Sequence, residues 1–191
     1  MNGRIESWYA EQGWEPFEFQ RRAWEAYRAG DSGLIHAPTG MGKTQAAWLG
    51  PVGEYLSEHA GAARHRRRDG ACPLTVMWVT PLRALAGDTA RALRAPVDDL
   101  GLPWTVERRT GDSPASLKAR QRRRLPTALV TTPESLSLLL SYPDARASLA
   151  SLRCVVVDEW HELIGSKRGV QVELALARLR RWNPRLRTWG L

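Results

Sequence analysis

Short apolar runs alternate along this chain with longer segments whose apolar residues recur at helical spacing. The runs at 75–79 and 154–157 carry no polar alternation, which is the pattern of strands buried on both faces of a sheet. Together with the other short runs they predict six strands, at residues 34–36, 75–79, 104–109, 128–131, 154–157 and 186–191. Because strands separated by helices favour parallel pairing, the pattern predicts a three-layer α/β domain with a mainly parallel sheet.

The segments between the strands predict helices whose ends are set by proline and capping residues. They are expected at 14–27, from 44 to about 59, from 80 through 93, at 113–124, from 132 through 140, and between 169 and 184. We expect Pro51 to kink or restart the second helix, because proline lacks an N–H. In the third, Thr80 should cap the helix, and Leu82 should face inward with Leu93. On the first helix most aromatic residues should be core, and Gln20 is either a surface residue or a ligand, because an amide can pair with both edges of an adenine.

The composition fits one soluble globular domain that spans residues 1–191. The chain is long enough for a substantial core, and 43% of its residues are hydrophobic. No apolar run approaches the roughly 20 residues of a membrane span, and the N-terminus lacks the layout of a signal peptide. The two cysteines are Cys72 and Cys154, and Cys154 lies in an apolar strand, so no disulfide framework is expected. We expect a cytoplasmic protein with no membrane partner and no internal repeat.

The formal charge of +8 favours a polyanionic partner, because cationic side chains release counterions from phosphates. Most of the excess is arginine in two runs, at 64–68 and 120–124. The first run lies in segment 61–70, which has no apolar period and is expected to be an exposed, mobile loop. A solvated charged surface and a contact with nucleic acid are both open interpretations of this loop.

One stretch interrupts the alternation with proline and glycine, in the order strand, glycine loop, helix. Gly40 and Gly42 allow a tight turn that aims backbone N–H groups at phosphate oxygens, at the positive end of the following helix. Lys43 supplies charge for the β and γ phosphates, and the Thr44 hydroxyl suits Mg²⁺. The general pattern G-x-x-x-x-G-K-[ST] is matched except at its first glycine, where this chain has Ala37. The alternative is a glycine turn that precedes lysine by chance. The predicted nucleotide-binding residues of the loop are Thr39, Gly40, Met41, Gly42, Lys43 and Thr44.

Two acidic residues directly follow the apolar strand at 154–157. Asp158 can hold Mg²⁺ there, through water, while Glu159 can polarise the water that attacks the γ phosphate. The alternative is an exposed strand end with two acids, and the glycine loop in the same predicted sheet favours the catalytic interpretation. His161 is either a sensor of the nucleotide or a surface histidine. The metalloprotease pattern H-E-x-x-H is absent, since Gly165 stands at its second histidine.

Four segments, in order, resemble the motifs of superfamily-two DExH helicases. They are A-P-T-G-M-G-K-T at 37–44, T-P-L-R-A-L at 80–85, T-P-E-S at 132–135 and D-E-W-H at 158–161, similar to motif I, motif Ia, the T-P-E motif and motif II. More narrowly, four segments resemble the Lhr, or large helicase-related, group and its bacterial ligase-associated branch. They are P-F-E-F-Q from Pro16, T-P-L-R-A-L-A from Thr80, V-V-D-E-W-H-E-L from Val156 and G-S-K-R-G-V-Q from Gly165. This resemblance covers nearly the whole chain and implies a RecA-like P-loop NTPase domain.

The resemblance implies ATP-driven translocation on single-stranded nucleic acid, 3′ to 5′, and unwinding of DNA or RNA–DNA duplexes, with a role in DNA repair. Gln20 resembles the adenine-reading glutamine of the family, and the residues similar to its phosphate, Mg²⁺ and water residues are Lys43, Thr44, Asp158 and Glu159. Those similar to its nucleic-acid contacts are Thr80, Pro81, Arg83, Gly111, Thr132, Pro133 and Glu134. The branch also implies a repair ligase or nuclease as partner. An RNA helicase of the Ski2-like type is the alternative, because contacts to the backbone do not discriminate DNA from RNA.

Superfamily-two enzymes continue beyond this region with an S-A-T motif and a second RecA-like domain that carries arginine fingers. Neither occurs in the 191 residues, so we expect the first motor domain of a longer helicase, truncated before both. An arginine finger contributes a factor of about 10³ to 10⁵ to phosphoryl transfer, so the chain alone should bind ATP weakly and barely hydrolyse it. Two alternatives from other classes stay open: a nucleotide-dependent nucleic-acid-binding module without catalysis, and a basic α/β domain with a vestigial P-loop.

Overall fold

Strands and helices alternate in the computed structural model, which describes residues 3–60 and 72–191. The strands are β1 (Gly33–Leu34), β2 (Val76–Val79), β3 (Val106–Arg109), β4 (Ala128–Thr131), β5 (Cys154–Val157) and β6 (Arg187–Gly190). The helices are α1 (Gly3–Glu11), α2 (Glu18–Ala29), α3 (Lys43–Glu58), α4 (Leu85–Asp99), α5 (Ala115–Arg123), α6 (Pro133–Ser141), α7 (Ala145–Ser148), α8 (Trp160–Leu163) and α9 (Lys167–Trp182). The strands pair in parallel, in the order β1-β6-β5-β2-β4-β3. The predicted α/β class with a parallel sheet is confirmed.

Two apolar cores cover the two faces of this sheet. Along β2, Val76 and Trp78 pack with α1 to α4, whereas Met77 and Val79 pack with α6 and α9 on the other face. All four side chains are at most 1% exposed. Because the strand is buried on both faces, it carries no polar alternation. The predicted three-layer arrangement is therefore confirmed.

Two predictions about the first helical layer are wrong. The helix expected from residue 14 begins at Glu18, and a separate helix that the pattern did not predict, α1, precedes it. α3 runs unbroken from Lys43 to Glu58, so Pro51 does not restart the helix. The proline and its neighbours along this helix are buried. Their packing offsets the cost of a proline inside a helix, about 3 kcal/mol.

The observed boundaries of α4 and β1 also differ from the predicted ones. α4 begins at Leu85, so Thr80 is not its N-cap; this threonine is fully buried at the end of β2, and its hydroxyl has no partner among the described residues. Leu82, in the bend before α4, is 47% exposed instead of buried. β1 pairs through only two residues, and Leu34 is 64% exposed because the strand lies at the sheet edge. The other predicted strands and helices are confirmed.

The expectations about membrane spans and cysteines can be compared with the structure, and the one about the loop 61–70 cannot. In residues 3–60 and 72–191, none of the helices combines the length and the apolar character needed to cross a bilayer. Cys72 and Cys154 are both free thiols, as expected. The loop 61–70, with its arginine run, lies outside the described residues.

A buried ion pair joins β6 to the first helical layer. Arg187 donates to both carboxylate oxygens of Glu54 on α3 at 2.9 Å, and to the backbone carbonyl of Tyr27 at 3.0 Å. Its guanidinium lies 3.9 Å from the centroid of the Tyr27 ring. The arginine side chain is only 9% exposed. Removal of the carboxylate would therefore leave a buried charge without its anion.

We predict that Glu54→Ala lowers the free energy of unfolding by about 3 kcal/mol, because breaking a buried ion pair leaves one charge unpaired. Denaturant unfolding followed by circular dichroism measures this change. Glu58→Ala is the matched control, since Glu58 lies one turn further along α3 and pairs with Arg153 at 2.6 Å, with both side chains 44% exposed. The control should lose less than about 1 kcal/mol. Equal losses in the two variants would contradict the prediction.

Candidate functional site

The carboxyl ends of the parallel strands lie along one edge of the sheet, and each predicted site segment follows one of them. The loop 35–42 follows β1, Thr80 follows β2, the turn at Gly111 follows β3, Thr132 follows β4, and Asp158 follows β5. Only β6 separates β1 from β5. At about 4.8 Å per strand, the strands that lead into the glycine loop and into the acidic pair are about 10 Å apart.

The glycine loop has the backbone that its sequence pattern requires. Gly40 and Gly42 have φ angles of 84° and 81°, in the left-handed region that favours glycine. Steric exclusion is a second reason for glycine at position 42, because a Cβ atom there would lie 2.6 Å from Nε2 of Gln20. The loop ends at Lys43, the first residue of α3. The positive end of the α3 dipole therefore faces the loop.

The Lys43 side chain links the C-terminal end of the glycine loop to Ala37 near its beginning. Its Nζ donates to the backbone carbonyl of Ala37 at 2.8 Å. The departure from the general pattern at Ala37 does not affect this contact, because the residue takes part through its carbonyl oxygen. Thr39 is exposed, whereas Met41 and Thr44 are half-buried. The loop thus offers backbone N–H groups, an ammonium group and a hydroxyl group to a phosphate ligand.

Gln20 supports the glycine loop and is buried, so the surface interpretation of this residue is wrong. It is 3% exposed, its Oε1 accepts from the backbone N–H of Phe17 at 2.9 Å, and its Nε2 donates to the carbonyl of Gly42 at 3.0 Å. The amide is thus engaged within the protein through both its oxygen and its nitrogen. Contact with adenine stays a prediction.

Two aromatic residues near Gln20 are half exposed, although the sequence pattern assigned most aromatics of this segment to the core. Trp14 is 49% exposed and Phe17 is 46% exposed. Both precede α2, so helical spacing does not describe their positions. Phe17 stacks on Phe19, with ring centroids 5.9 Å apart, beside the Gln20 amide. This flat, exposed ring is a surface that a purine base can cover.

Asp158 is held by two N–H donors and lies within the electrostatic reach of Lys43. Its Oδ2 accepts from the indole N–H of Trp78 at 3.0 Å, and its Oδ1 accepts from the backbone N–H of Glu159 at 3.1 Å. Burial raises the pKa of the Asp158 carboxyl above its ordinary value, and the negative charge of Glu159 adds to this rise. The Trp78 N–H and the positive charge of Lys43 act in the opposite direction. The fold therefore couples the glycine loop and the acidic pair electrostatically.

Glu159 has a left-handed backbone, with φ 49° and ψ 46°. It is the one non-glycine residue with positive φ in the part of the chain that the structure describes. This conformation costs about 1–2 kcal/mol for a residue with a side chain. The chain turns sharply there into the short helix α8, which the pattern did not predict. As a result the Glu159 carboxylate, with its side chain 40% exposed, lies at the surface of the sheet edge.

His161 lies on the surface between two carboxylates. Its side chain is 67% exposed, with Nδ1 3.5 Å from Oε2 of Glu159 and Nε2 3.4 Å from Oε1 of Glu162. The contact with Glu159 suits a sensor of the nucleotide, and the exposure suits a surface histidine. Both interpretations of His161 stay open.

The donors beside the glycine loop fit a magnesium ion that arrives with a nucleotide. Asp158 offers a carboxylate and Thr44 a hydroxyl, and Mg²⁺ in such sites takes few protein oxygens alongside phosphate and water. Among residues 3–60 and 72–191, no group of three histidine, cysteine, aspartate or glutamate side chains is arranged to hold a metal. Asp158 and Thr44 as ligands of Mg²⁺ stay a prediction.

Arg83 and Gly111 are the exposed members of the predicted nucleic-acid contacts. The Nη1 of Arg83 donates to Oδ1 of Asp112 at 3.3 Å, with side chains 51% and 72% exposed. A Cβ atom at Gly111 would lie 3.3 Å from Cζ of Arg83, so the guanidinium packs against this turn. The segments after β2 and β3 thus lie side by side on the surface. A guanidinium presented in this way can contact a phosphate without reading sequence.

Four of the other predicted contact residues bury their side chains: Thr80, Pro81, Thr132 and Pro133. Thr132 is the N-cap of α6, where its Oγ1 accepts from the backbone N–H of Ser135 at 3.4 Å. A contact between these residues and nucleic acid would therefore have to use backbone atoms.

Arg168 joins two of the predicted contact segments, although no motif in the sequence predicts a role for it. Its Nε donates to Oε1 of Glu134 at 2.7 Å, and its Nη1 donates to the carbonyl of Pro81 at 3.3 Å. Burial acts to raise the pKa of Glu134, but hydrogen bonds from its own amide, from Thr132 and from Arg168 outweigh it and lower the pKa. The Glu134 carboxylate is therefore engaged within the protein. The sequence shows Arg168 only as part of the segment G-S-K-R-G-V-Q. This segment gives no indication that its arginine has a partner on another helix.

The arginine run at 120–124 is partly neutralised within the fold. Arg120 pairs with Glu107 at 2.8 Å, and Arg122 pairs with Asp144 at 2.5 Å. The guanidinium of Arg122 also lies 3.9 Å from the centroid of the Tyr142 ring. The formal charge of the chain therefore overstates the cationic surface that this run offers to a partner.

Comparison with known proteins connects this geometry with a family. The family model of the DEAD/DEAH box helicase matches residues 17–190. The Lhr helicase/probable uracil glycosylase of Mycolicibacterium smegmatis is 38% identical over 182 residues, which cover 90% of this chain and 12% of that protein. The ATP-dependent helicase Lhr-Core of Methanothermobacter thermautotrophicus is 37% identical over 175 residues, which cover 85% of this chain and 19% of that protein.

A solved structure gives the same result at the level of the fold. The helicase Lhr of Mycobacterium smegmatis, solved with ssDNA and AMP-PNP, superposes with a TM-score of 0.77 and 34% identity over 99% of this chain. This chain covers 24% of that one. The predicted RecA-like fold is therefore confirmed, and the predicted similarity to Lhr helicases is found in both comparisons. Since the family model matches far more than half of its residues, this chain belongs to the DEAD/DEAH box helicase family.

Proposed function

We propose that this chain is the first motor domain of an ATP-dependent translocase or helicase that moves along single-stranded DNA. The observation that carries the proposal is the arrangement along one sheet edge. The glycine loop lies beside Asp158 and Glu159, and the exposed surface at Arg83 and Gly111 follows strands further along the same edge. A nucleotide in the loop and a nucleic-acid strand on this surface would therefore contact the same set of loops. Coupling of ATP hydrolysis to movement requires such adjacency.

Each residue of the nucleotide site has a role in this proposal. Lys43 and the loop N–H groups would neutralise the β and γ phosphates, while Thr44 and Asp158 would hold Mg²⁺. When bound, Mg²⁺ stabilises the charge on the phosphate oxygens during transfer. Glu159 orients and polarises the water that attacks the γ phosphate. His161, in contact with Glu159, senses whether that phosphate is present.

Three observations support ATP as the nucleotide. The Gln20 amide donates to the carbonyl of Gly42, so it lies at the glycine loop, and an amide of this kind can pair with an adenine edge. The half-exposed ring of Phe17 lies next to that amide and offers a stacking surface. The helicase Lhr of Mycobacterium smegmatis was solved with AMP-PNP and ssDNA, which supports the same classes of ligand here.

We further propose that this chain works together with a second RecA-like domain of a longer protein. The chain covers 12% and 19% of two relatives and 24% of a solved structure, which supports this proposal. Arginine fingers from the second domain would contribute a factor of about 10³ to 10⁵, so the chain alone should bind ATP weakly and hydrolyse it slowly. Several features stay predictions from the resemblance to the ligase-associated branch: 3′ to 5′ movement, unwinding of DNA or RNA–DNA duplexes, DNA repair with a ligase or nuclease partner, and a cytoplasmic location.

Steady-state ATP hydrolysis by the protein with both proposed motor domains tests the proposal. We predict that single-stranded DNA stimulates hydrolysis, and that Glu159→Gln lowers the stimulated rate by about 10²- to 10⁴-fold because the attacking water is no longer polarised. Binding of an ATP analogue should persist in this variant, since glutamine keeps the side-chain size and the glycine loop is intact. Glu162→Gln is the control, because Glu162 is an exposed carboxylate next to the same histidine, and its rate should stay near that of the wild type.

Other outcomes of the hydrolysis experiment identify the alternatives. Stimulation by RNA alone would indicate an RNA helicase of the Ski2-like type. Binding of ATP without hydrolysis under any condition would contradict the motor proposal and leave a nucleotide-dependent binding module. No binding of ATP by the longer protein would leave a structural domain with a vestigial P-loop.

We predict that Arg83→Ala weakens the binding of single-stranded DNA, because its guanidinium contacts a phosphate. Loss of one phosphate contact should reduce the slope of log K against log salt by about 0.7. Fluorescence anisotropy of a labelled oligonucleotide at several salt concentrations measures this slope. Arg91→Ala is the matched control, since Arg91 is 73% exposed and pairs with Asp88 but lies in the middle of α4. An equal effect of both substitutions would indicate diffuse charge attraction and contradict a specific contact at Arg83.

A further inference from the structure

Trp78 lies in the middle of the sheet, and its indole reaches the carboxylate of Asp158. It is 1% exposed on β2, the strand next to β5. In the register of these strands Trp78 pairs with Val156, two residues before Asp158, so the two side chains belong to the same face of the sheet. The Nε1 of Trp78 donates to Oδ2 of Asp158 at 3.0 Å. The hydrogen bond thus runs diagonally from one central strand to the end of its neighbour.

This core does not require a hydrogen-bond partner for every buried indole. Trp48, Trp104 and Trp189 belong to the same core as Trp78, and their Nε1 atoms have no partner among the described residues. Burial of an indole therefore does not by itself explain the contact with Asp158. Trp78 differs from these three tryptophans because its N–H has an acceptor. That acceptor is the Asp158 carboxylate, which the proposed function assigns to Mg²⁺ binding.

The two hydrogen bonds of Asp158 leave it a defined set of acceptor sites. A carboxylate has about four lone-pair sites on its two oxygens. Trp78 uses one site on Oδ2, and the Glu159 amide uses one on Oδ1. Both donors are N–H groups that cannot accept a proton in return, so they fix the plane of the ionised carboxylate. One site on each oxygen remains for water or a cation.

We propose that Trp78 is a positioning residue for Mg²⁺-ATP, because its indole N–H holds the Asp158 carboxylate in the orientation that receives the water of the metal. This inference rests on the proposed function and adds to it a residue that lies outside the D-E-W-H motif. Without the indole N–H the carboxylate is free to turn about its side-chain bonds. Loss of a group that orients a metal ligand weakens metal affinity by about 10- to 100-fold.

Binding of mant-ATP, followed by fluorescence anisotropy during a titration with Mg²⁺, tests this role. In Trp78→Phe we expect the Mg²⁺ concentration for half-maximal binding to rise about tenfold. Binding in EDTA, which depends on the glycine loop and Lys43, should not weaken. Trp48→Phe is the matched control, because it removes the same atoms from the same core and takes no donor away from Asp158. Its Mg²⁺ requirement should equal that of the wild type.

Two further variants separate the hydrogen bond from the packing of the ring. A β-(3-benzothienyl)alanine at position 78 keeps the bicyclic shape and replaces the N–H by sulfur. It should raise the Mg²⁺ requirement as Trp78→Phe does, with a melting temperature near that of the wild type. In an Asp158→Ala background, which has no acceptor for the indole, Trp78→Phe should cause no additional change, because the two groups act through one interaction.

The outcomes of these titrations are distinguishable. Equal Mg²⁺ requirements in the wild type and the benzothienyl variant would overturn the role of Trp78. A parallel loss of binding with and without Mg²⁺ in that variant would also overturn it, since this would show a defect in packing. Absence of Mg²⁺-dependent ATP binding by the wild type would instead overturn the proposed function on which the inference rests.

Discussion

All six strands of the described sheet run in one direction, and this constraint brings the functional segments together. Loops that leave the carboxyl ends of parallel strands share one edge, whatever their separation in sequence. Lys43 and Asp158 are far apart along the chain, yet the charge of the lysine acts on the carboxyl of the aspartate. The proposed nucleotide site therefore depends on the strand order β1-β6-β5 as much as on the residues that line it.

Polar side chains that donate to backbone carbonyls hold the loops of this edge in one conformation. Gln20 holds the glycine loop at Gly42, and Lys43 holds its other end at Ala37. Arg168 does the same for the segment after β2. Because a buried polar group without a partner costs about 1–3 kcal/mol, the buried Gln20 contact in particular favours a single arrangement of the loop. The edge is thus organised before a ligand binds, which lowers the entropic cost of binding.

The sequence allowed much of the fold and the glycine loop of the candidate site to be predicted, because both leave local signals. β5 has four consecutive apolar residues, as expected of a strand buried on two faces, and the glycine loop needs its residue types at fixed spacing. The wrong predictions depend on tertiary packing: Pro51 is tolerated because its helix is buried, and Phe17 is exposed because it precedes α2. The contacts of Trp78 and Arg168 join separate elements, and a pattern of residues along one chain carries no distance between them.

The left-handed backbone at Glu159 has a consequence for how this family changes over time. Glycine adopts this conformation without strain, so replacement of the glutamate would relax the backbone and at the same time remove the carboxylate. Under the role proposed for Glu159, selection for a stable fold and selection for ATP hydrolysis act in opposite directions at this one position. A lineage released from the need to hydrolyse ATP should then drift there toward glycine or asparagine. The residue at this position would thus record which descendants keep the proposed activity.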